Sequence, residues 1–140
     1  MSTLSLKNLK VEMEAIEVVD VPEFGKGMTV NVRGLTVTAR HTLGIIMREM
    51  GVEPLDGRGQ VVVPPSPAAL AEFQVVNSAL CSYDDDDNLV FGTNPMEAIN
   101  FVRNLPGKYS PVIARISAVA TRLTNSSNNE RVAVEDAEKN

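Results

Sequence analysis

The order of hydrophobic and polar residues predicts a β-hairpin near the beginning of the chain. The segment "MTVNVRGL" alternates: Met28, Val30 and Val32 share one face, and polar side chains occupy the other. A period of two is typical of a strand with one buried face. The β-rich run "IEVVDV" comes before it, and the intervening "PEFGKG" contains a proline and two glycines. Two strands joined by such a loop predict a hairpin over about 16–33.

After the hairpin, the apolar residues recur at the spacing of an α-helix. In "TVTARHTLGIIMREMG", Ala39 and Leu43 lie on one face, Thr36 or Thr38 is suited to cap the first turn, and Gly51 is suited to end the helix. Further along, a Ser–Pro or Asn–Pro pair precedes three more apolar stripes. A capping side chain before a proline is a typical helix start. The predicted helices cover about 37–50, 67–81, 95–105 and 111–123.

These elements predict an α+β fold that is mainly α. The N-terminal β-hairpin and about four packed helices form one globular domain over 1–124. From Asn125 the sequence becomes polar and acidic, "NSSNNERVAVEDAEKN", with few apolar side chains. Such a segment buries too little to offset the entropy of ordering it. We expect 125–140 to be a flexible acidic tail, mobile or weakly helical until a partner binds it.

Composition and charge narrow the choice of partner. The 140 residues are 44% hydrophobic but only 4% aromatic, without tryptophan, so the core must be aliphatic. The net charge of −5 and the absence of a basic cluster exclude nucleic acid as the expected partner. No segment resembles a signal peptide, and none reaches the roughly 20 apolar residues of a membrane span. Cys81 is the one cysteine, which fits a reducing cytoplasm and a small buried hydrophobe.

The stretch "SYDDDDNLVFG" contains the only residues that suggest chemistry. A calcium loop beginning at Asp84 requires glycine at its sixth position and glutamate at its twelfth, where this chain has Leu89 and Pro95. Four adjacent carboxylates are also hard to desolvate together, as an acid catalyst requires. We therefore expect Asp84–Asp87 to form an acidic turn in solvent.

The other candidates for a catalytic or binding role are weak. His41 is the single histidine, and a zinc site needs three or four ligands. No serine lies in a Gly-x-Ser-x-Gly motif, and "GKG" lacks the spacing of a phosphate-binding loop. Met47, Met50 and Met96 are expected in the core rather than on a binding surface. We predict no catalytic, cofactor-binding or metal-binding residues, and hence no enzyme.

Several motifs occur in an order typical of one protein family. "VPEFGKGMTVNVRGLTVTAR" combines a Val-Pro-Glu-aromatic-Gly start, a strand ending in "VRGLT" and a helix that opens with an arginine. "DDDDNLVF" then precedes a helix, and "ATRLTNSS" leads into a tail ending in "EKN". Together these motifs, over about 16–140, resemble the tail assembly chaperones of long-tailed (siphovirus-type) bacteriophages.

The resemblance implies a non-enzymatic function. Such chaperones bind the tape measure protein, a very long and largely helical chain, and keep it soluble until tail tube subunits polymerise around it. A longer product of a programmed ribosomal frameshift often recruits the major tail protein. The expected location is the host cell cytoplasm, and the protein is expected to be absent from the mature virion. Coating a long chain takes many copies, so self-association is expected, as a spiral where the contact does not close.

Five residues in the stretch that carries the resemblance are the expected protein interface. They are Phe24, Val30, Val32, Arg33 and Arg40. The hairpin edge and the exposed parts of the helix faces are both plausible contact surfaces, and the sequence does not distinguish between them. Two other functions remain open: a small tail or connector protein that is retained in the virion, and a small enzyme whose site the sequence does not reveal.

Overall fold

The computed structural model describes the backbone of residues 3–11 and 15–139, and side chains within these ranges up to Ser126. Its strands and helices, in chain order, are β1 (Glu17–Asp20), β2 (Thr29–Val32), α1 (Val37–Glu49), α2 (Pro67–Cys81), β3 (Ser82–Tyr83), α3 (Pro95–Arg103) and α4 (Ser110–Lys139). Short 3-10 turns occupy Pro22–Phe24 and Gly107–Tyr109. The predicted α+β, mainly α, fold with an N-terminal hairpin and four helices is confirmed.

The sheet is antiparallel with strand order β1-β2-β3. Val19 faces Val30 across the hairpin, and both side chains point into the core. The third strand was not predicted: Tyr83 pairs with Asn31, and Ser82 with Val32. A two-residue strand is too short to show an alternating pattern, so the sequence carries no signal for it.

Each of the first three helices begins directly after a residue whose side chain caps it. Thr36 Oγ1 accepts a hydrogen bond from Ala39 N at 3.1 Å, which selects Thr36 over Thr38 as the cap of α1. Ser66 Oγ accepts from Ala69 N at 3.3 Å at the start of α2. Asn94 caps α3 in the same way. Each cap satisfies a backbone N–H that the helix itself leaves without a partner.

The predicted end of α4 was wrong. The helix was expected over 111–123, but it runs from Ser110 to Lys139 and includes most of the predicted tail. The segment after Thr124 contains weak helix formers but neither proline nor glycine, and extending an existing helix costs far less than starting one. The mobility of 125–140 stays a prediction, and Asn140 lies outside the described residues.

The core is aliphatic, as the composition required. Helix α2 is its centre and packs against α1, α3 and α4. Phe73 is the only aromatic residue among the largest fully buried side chains of the described residues, beside Leu43, Met47 and Ile116. One contiguous cluster joins the sheet to all four helices. None of the described helices has the length and hydropathy needed to cross a membrane.

Candidate functional site

The aspartate run forms an exposed turn with a structural role for three of its four members. The turn joins β3 to the extended segment at Leu89, which pairs with Tyr83. Asp84 Oδ1 accepts hydrogen bonds from the backbone N–H groups of Asp86 at 2.8 Å and Asn88 at 3.0 Å. Its carboxylate is therefore the internal acceptor that closes the turn, which is a standard use of aspartate.

The turn is also fastened to β2. Asp85 accepts a hydrogen bond from Asn31 Nδ2 at 2.9 Å, and Asp87 forms an ion pair with Arg33. The Arg33 guanidinium lies 4.4 Å from the centre of the Tyr83 ring, a cation–π contact. Among the described residues, Arg33 Nε is buried without a hydrogen-bond partner. Through its contacts with Asp87 and Tyr83, Arg33 holds the turn against the sheet.

The remaining candidates for chemistry lie apart from one another. His41 is exposed on α1, whereas Cys81 is buried at the end of α2, where its thiol contacts Asn77 Oδ1 at 3.7 Å. Within the described ranges, no group of three or more His, Cys, Asp or Glu side chains is placed to hold a metal ion. Met47 is in the core as expected, but Met50 and Met96 are exposed, so the core prediction was wrong for them.

The most organised surface feature is a row of four aromatic side chains. Tyr109 stacks on Phe24 with 4.9 Å between ring centroids and 7° between planes. The ring centroids of Phe24 and Phe91 lie 5.8 Å apart, and those of Phe91 and Phe101 lie 5.9 Å apart. This aromatic row holds four of the six aromatic residues of the chain, at separations typical of favourable ring pairs.

Three members of the row, Phe24, Phe91 and Phe101, line an apolar groove of about 270 Å³, here called the aromatic groove. Met28, Val90 and Phe101 stand at its rim, each roughly half exposed. Val30 and Ile116 line it from the core side and are almost fully buried. Among the described residues that line the groove, none carries a charge. A surface of this kind favours apolar side chains of a polypeptide over a polar metabolite.

Arg115 on α4 fixes the turn that carries Phe24. Its guanidinium donates to both carboxylate oxygens of Glu23, at 3.2 Å and 2.6 Å, and to the carbonyl of Asp20 at 3.1 Å. The hydrogen bond from Arg115 lowers the pKa of Glu23 below its usual value. A bidentate pair of this kind restricts orientation as well as adding energy, so Phe24 is held in place beneath the groove.

Gly92 fixes the extended segment that carries Phe91, another member of the row. A Cβ atom at this position would lie only 2.5 Å from the backbone nitrogen of Ala98 at the beginning of α3. Only glycine therefore permits the extended segment to pack this closely against α3. The close approach brings Phe91, just before Gly92, next to Phe101 on α3.

The five expected interface residues fall into different environments. Phe24 belongs to the aromatic row, and Val30 lines the groove from below. Val32 has no exposed surface, so its expected contact with a partner is corrected: alternation places it on the buried face of β2. Arg33 holds the aspartate turn, and Arg40 donates to the carbonyl of Gly59 at 2.7 Å. The structure thus brings together only Phe24 and Val30.

Sequence reasoning missed the residues that complete the groove. Met28 was assigned to a strand face, and Phe91 and Phe101 were not singled out. Their positions in the chain are far apart, and no spacing rule links a hairpin loop to two later segments. The available signal was compositional: few aromatic residues, three of them within 91–109.

A second uncovered apolar segment precedes the sheet. Residues 3–11, here called the N-terminal arm, are exposed throughout. Leu4, Leu6 and Val11 expose 69%, 92% and 69% of their surface, and Leu9 exposes 44%. Single exposed leucines are ordinary, but several in one short segment indicate a contact surface.

Comparison with protein-family models, with curated proteins and with solved structures finds no match for this chain. A functional assignment therefore rests on the resemblance in the sequence and on the geometry of the described residues.

Proposed function

We propose that this protein is a tail assembly chaperone of a long-tailed bacteriophage, which binds the tape measure protein and keeps it soluble. It acts without catalysis, as a coat of many copies in the host cytoplasm, and dissociates from the tape measure protein before the virion is complete. A frameshift-extended form that recruits the major tail protein belongs to the same proposal. The order of motifs in the sequence supports the family, and the aromatic groove supports a protein-binding function.

The aromatic groove is the observation that carries the proposal. It is open, apolar and lined by side chains from four parts of the chain. Arg115 fixes the turn that carries Phe24, and Gly92 fixes the segment that carries Phe91. Aromatic residues in a preformed surface dominate the energetics of many protein interfaces. A preformed surface also loses little entropy on binding. This arrangement favours holding a polypeptide segment over converting a small molecule.

The charge of the chain supports the coating function. The net charge of −5 gives every bound copy a like charge. Like charge on the outside of a coat keeps the complex soluble and prevents non-specific association. The apolar groove and arm then contribute contacts, while the charged surface faces water.

Co-expression with the tape measure protein of the same phage tests this proposal. We expect the tape measure protein to be soluble with the wild-type chain and largely insoluble without it. Phe101→Ser and Met28→Ser should reduce the soluble fraction of the tape measure protein, because each removes a large apolar side chain from the rim of the groove. Val37→Ser is the matched control, since Val37 is 87% exposed on α1 and lies outside the groove.

Two results would contradict the proposal. One is a tape measure protein that is equally soluble without this chain. The other is recovery of this chain, in stoichiometric amounts, from purified mature virions by mass spectrometry. The second result would favour the alternative function of a small tail or connector protein that stays in the particle.

A further inference from the structure

We infer that the aromatic groove selects apolar segments of the tape measure protein that carry acidic residues on one flank. The acidic flank lies at the side of the groove formed by Phe24, here called the Phe24 end, and the apolar side chains extend toward Phe101, the Phe101 end. This inference rests on the proposed function, which assigns the groove to this partner, and it adds which segments of the partner are recognised.

The size and lining of the groove limit what it selects by itself. A cavity of about 150 Å³ holds one benzene ring. The groove of about 270 Å³ therefore has room for one large or two small apolar side chains. None of the described residues that line it is charged. A preference for one apolar segment over another therefore has to come from the charges at its two ends.

Two lysines lie at the Phe24 end. Lys26 is two residues from both Phe24 and Met28. Its Cα atom is therefore within about 8 Å of the Cα atoms of these two groove residues. Lys108 Nζ lies 5.2 Å from the centre of the Tyr109 ring, which stacks on Phe24. Both lysines are exposed, so a segment bound in the groove can reach them.

The positive charge of these lysines is available to a ligand. The ion pairs among the described residues all use arginine, so neither Lys26 nor Lys108 has a carboxylate partner there. The acidic residues nearest in sequence to Phe24 are Asp20 and Glu23, and both lie beside Arg115. Arg115 therefore balances much of their charge, and the two lysines make the Phe24 end positive.

The Phe101 end carries the opposite charge. Glu97 lies on α3 one turn before Phe101, so the two side chains share a face of the helix. The carboxylate of Glu97 accepts hydrogen bonds from the backbone N–H of Thr93 at 3.2 Å and from its hydroxyl at 3.0 Å. These donors are neutral, so they position the carboxylate without cancelling its charge. The groove is thus positive at one end and negative at the other.

This polarity gives a bound segment a direction. Acidic residues beside the apolar side chains are attracted to Lys26 and Lys108 and repelled by Glu97. Complementary charge of this kind fixes orientation and excludes wrong partners more than it adds affinity. Segments with the same order of apolar and acidic residues are then bound in the same direction, so the copies on them face the same way.

Three short synthetic peptides test the recognition. Each has the same Leu-Val-Leu centre and a fluorescent label, with two aspartates, two serines or two lysines on one flank. We expect the purified full-length chain to bind the aspartate peptide about three- to tenfold more tightly than the serine peptide, and the lysine peptide least, by fluorescence anisotropy. High salt should reduce these differences, because it screens exposed charges. Equal affinities, a preference for the lysine peptide, or no binding of any peptide overturns the inference.

Charge reversal locates the positive end. Lys26→Glu/Lys108→Glu should reverse the order of the three peptides, and Lys26→Glu alone should reduce the preference for aspartate. Arg58→Glu is the matched control, since Arg58 is also an exposed cation between two glycines of a loop but lies outside the groove. Phe101→Ser should weaken all three peptides alike. Circular dichroism confirms the fold of each variant, and equal effects of Lys26→Glu and Arg58→Glu overturn the inference.

A disulfide trap tests the direction. Met28 lies near Lys26 and Met96 beside Glu97, and they are 55% and 51% exposed. A cysteine next to the aspartates of the peptide should react with Met28→Cys more than with Met96→Cys, and a cysteine on the other flank should reverse this ratio. The native Cys81 is fully buried and does not compete. A ratio that does not depend on the flank overturns the inference.

An array of overlapping peptides from the tape measure protein shows which segments are chosen. We expect the peptides that bind the wild-type chain more tightly than Phe101→Ser to combine apolar residues with acidic residues on one flank. Selected peptides without acidic residues overturn the inference. Self-association of the wild-type chain that Phe101→Ser abolishes also overturns it, because a second copy would then occupy the groove.

Failure of this inference and failure of the proposed function give different results. If the tape measure protein depends on the chain for solubility but Lys26→Glu/Lys108→Glu protects it as well as the wild type does, only the inference fails. If the designed peptides bind as expected but the tape measure protein is equally soluble without the chain, the proposed function fails.

Discussion

Asn125 and Val61 exchange two hydrogen bonds. The backbone N–H of Val61 donates to Asn125 Oδ1 at 2.9 Å, and Asn125 Nδ2 donates back to the Val61 carbonyl at 3.0 Å. The side-chain amide of Asn125 thus forms with the Val61 backbone the same pair of hydrogen bonds that a residue of a neighbouring strand would form. One residue earlier, Thr124 Oγ1 accepts from the backbone N–H of Leu35 at 2.9 Å. The end of the core section of α4 therefore secures the two loops that carry the buried side chains of Leu35 and Val61.

Asn125→Ala should destabilise the protein by about 1–3 kcal/mol, because it leaves a partly buried N–H and carbonyl of Val61 without partners. Urea unfolding followed by circular dichroism measures the loss. Ser126→Ala, at the next position, is the control and should change the free energy of unfolding by less than about 0.5 kcal/mol. Equal stability of the two variants would show that water replaces the amide without cost.

Asn77 is the second polar residue whose loss should be large. It is fully buried, and its Nδ2 donates to Ser117 O, Ser117 Oγ and Thr121 Oγ1, each at 3.0 Å. Asn77→Ala should cost about 2–4 kcal/mol through lost hydrogen bonds and a cavity between α2 and α4. Asn77→Asp should cost more at neutral pH, since a buried carboxylate would face the Ser117 carbonyl. Thermal unfolding at pH 7 would show the order, and an Asp variant as stable as Ala would contradict it.

The sequence predicted the elements whose signals are local. The caps at Thr36, Ser66 and Asn94 depend on side chains within three residues of the N–H they satisfy, and all three helices begin where expected. The end of α4 was missed for a different reason. Asn125 looks like a loop residue in a polar run, and its role depends on Val61, which lies far away in the chain.

The groove was hidden for the same physical reason. Phe24, Phe91 and Phe101 come from a loop, an extended segment and a helix, and only the tertiary structure brings their rings into contact. The expected interface included Phe24 and Val30, and both line the groove, but their contact with a partner stays a prediction. It also included Val32, whose side chain is fully buried on the same face of β2 as Val30.

Gly92→Ala should destabilise the protein and disturb the groove. The added Cβ would lie 2.5 Å from Ala98 N and 2.9 Å from Glu97 C, and both are backbone atoms that cannot rotate away. Overpacking of this kind costs about 1–3 kcal/mol. Gly57→Ala is the matched control, since nothing lies within 4 Å of its Cβ. Urea unfolding should separate the two variants, and equal stability would show that α3 moves aside freely.

Glu23→Gln should remove part of the dependence of stability on pH. The hydrogen bond from Arg115 lowers the pKa of Glu23 below its ordinary value of 4.5, so the folded state binds this proton less readily than the unfolded state. The resulting stabilisation is complete above pH 4.5 and is lost as the pH falls through the lower, folded pKa. The free energy of unfolding of the wild type should therefore exceed that of Glu23→Gln near pH 6, and the difference should shrink as the pH falls through the lowered pKa of the folded state. Glu49→Gln, on the exposed end of α1, is the control for the loss of one surface carboxylate. A gap between wild type and Glu23→Gln that stays constant from pH 6 to pH 3 would show that the Arg115 pair contributes nothing that depends on the charge of Glu23.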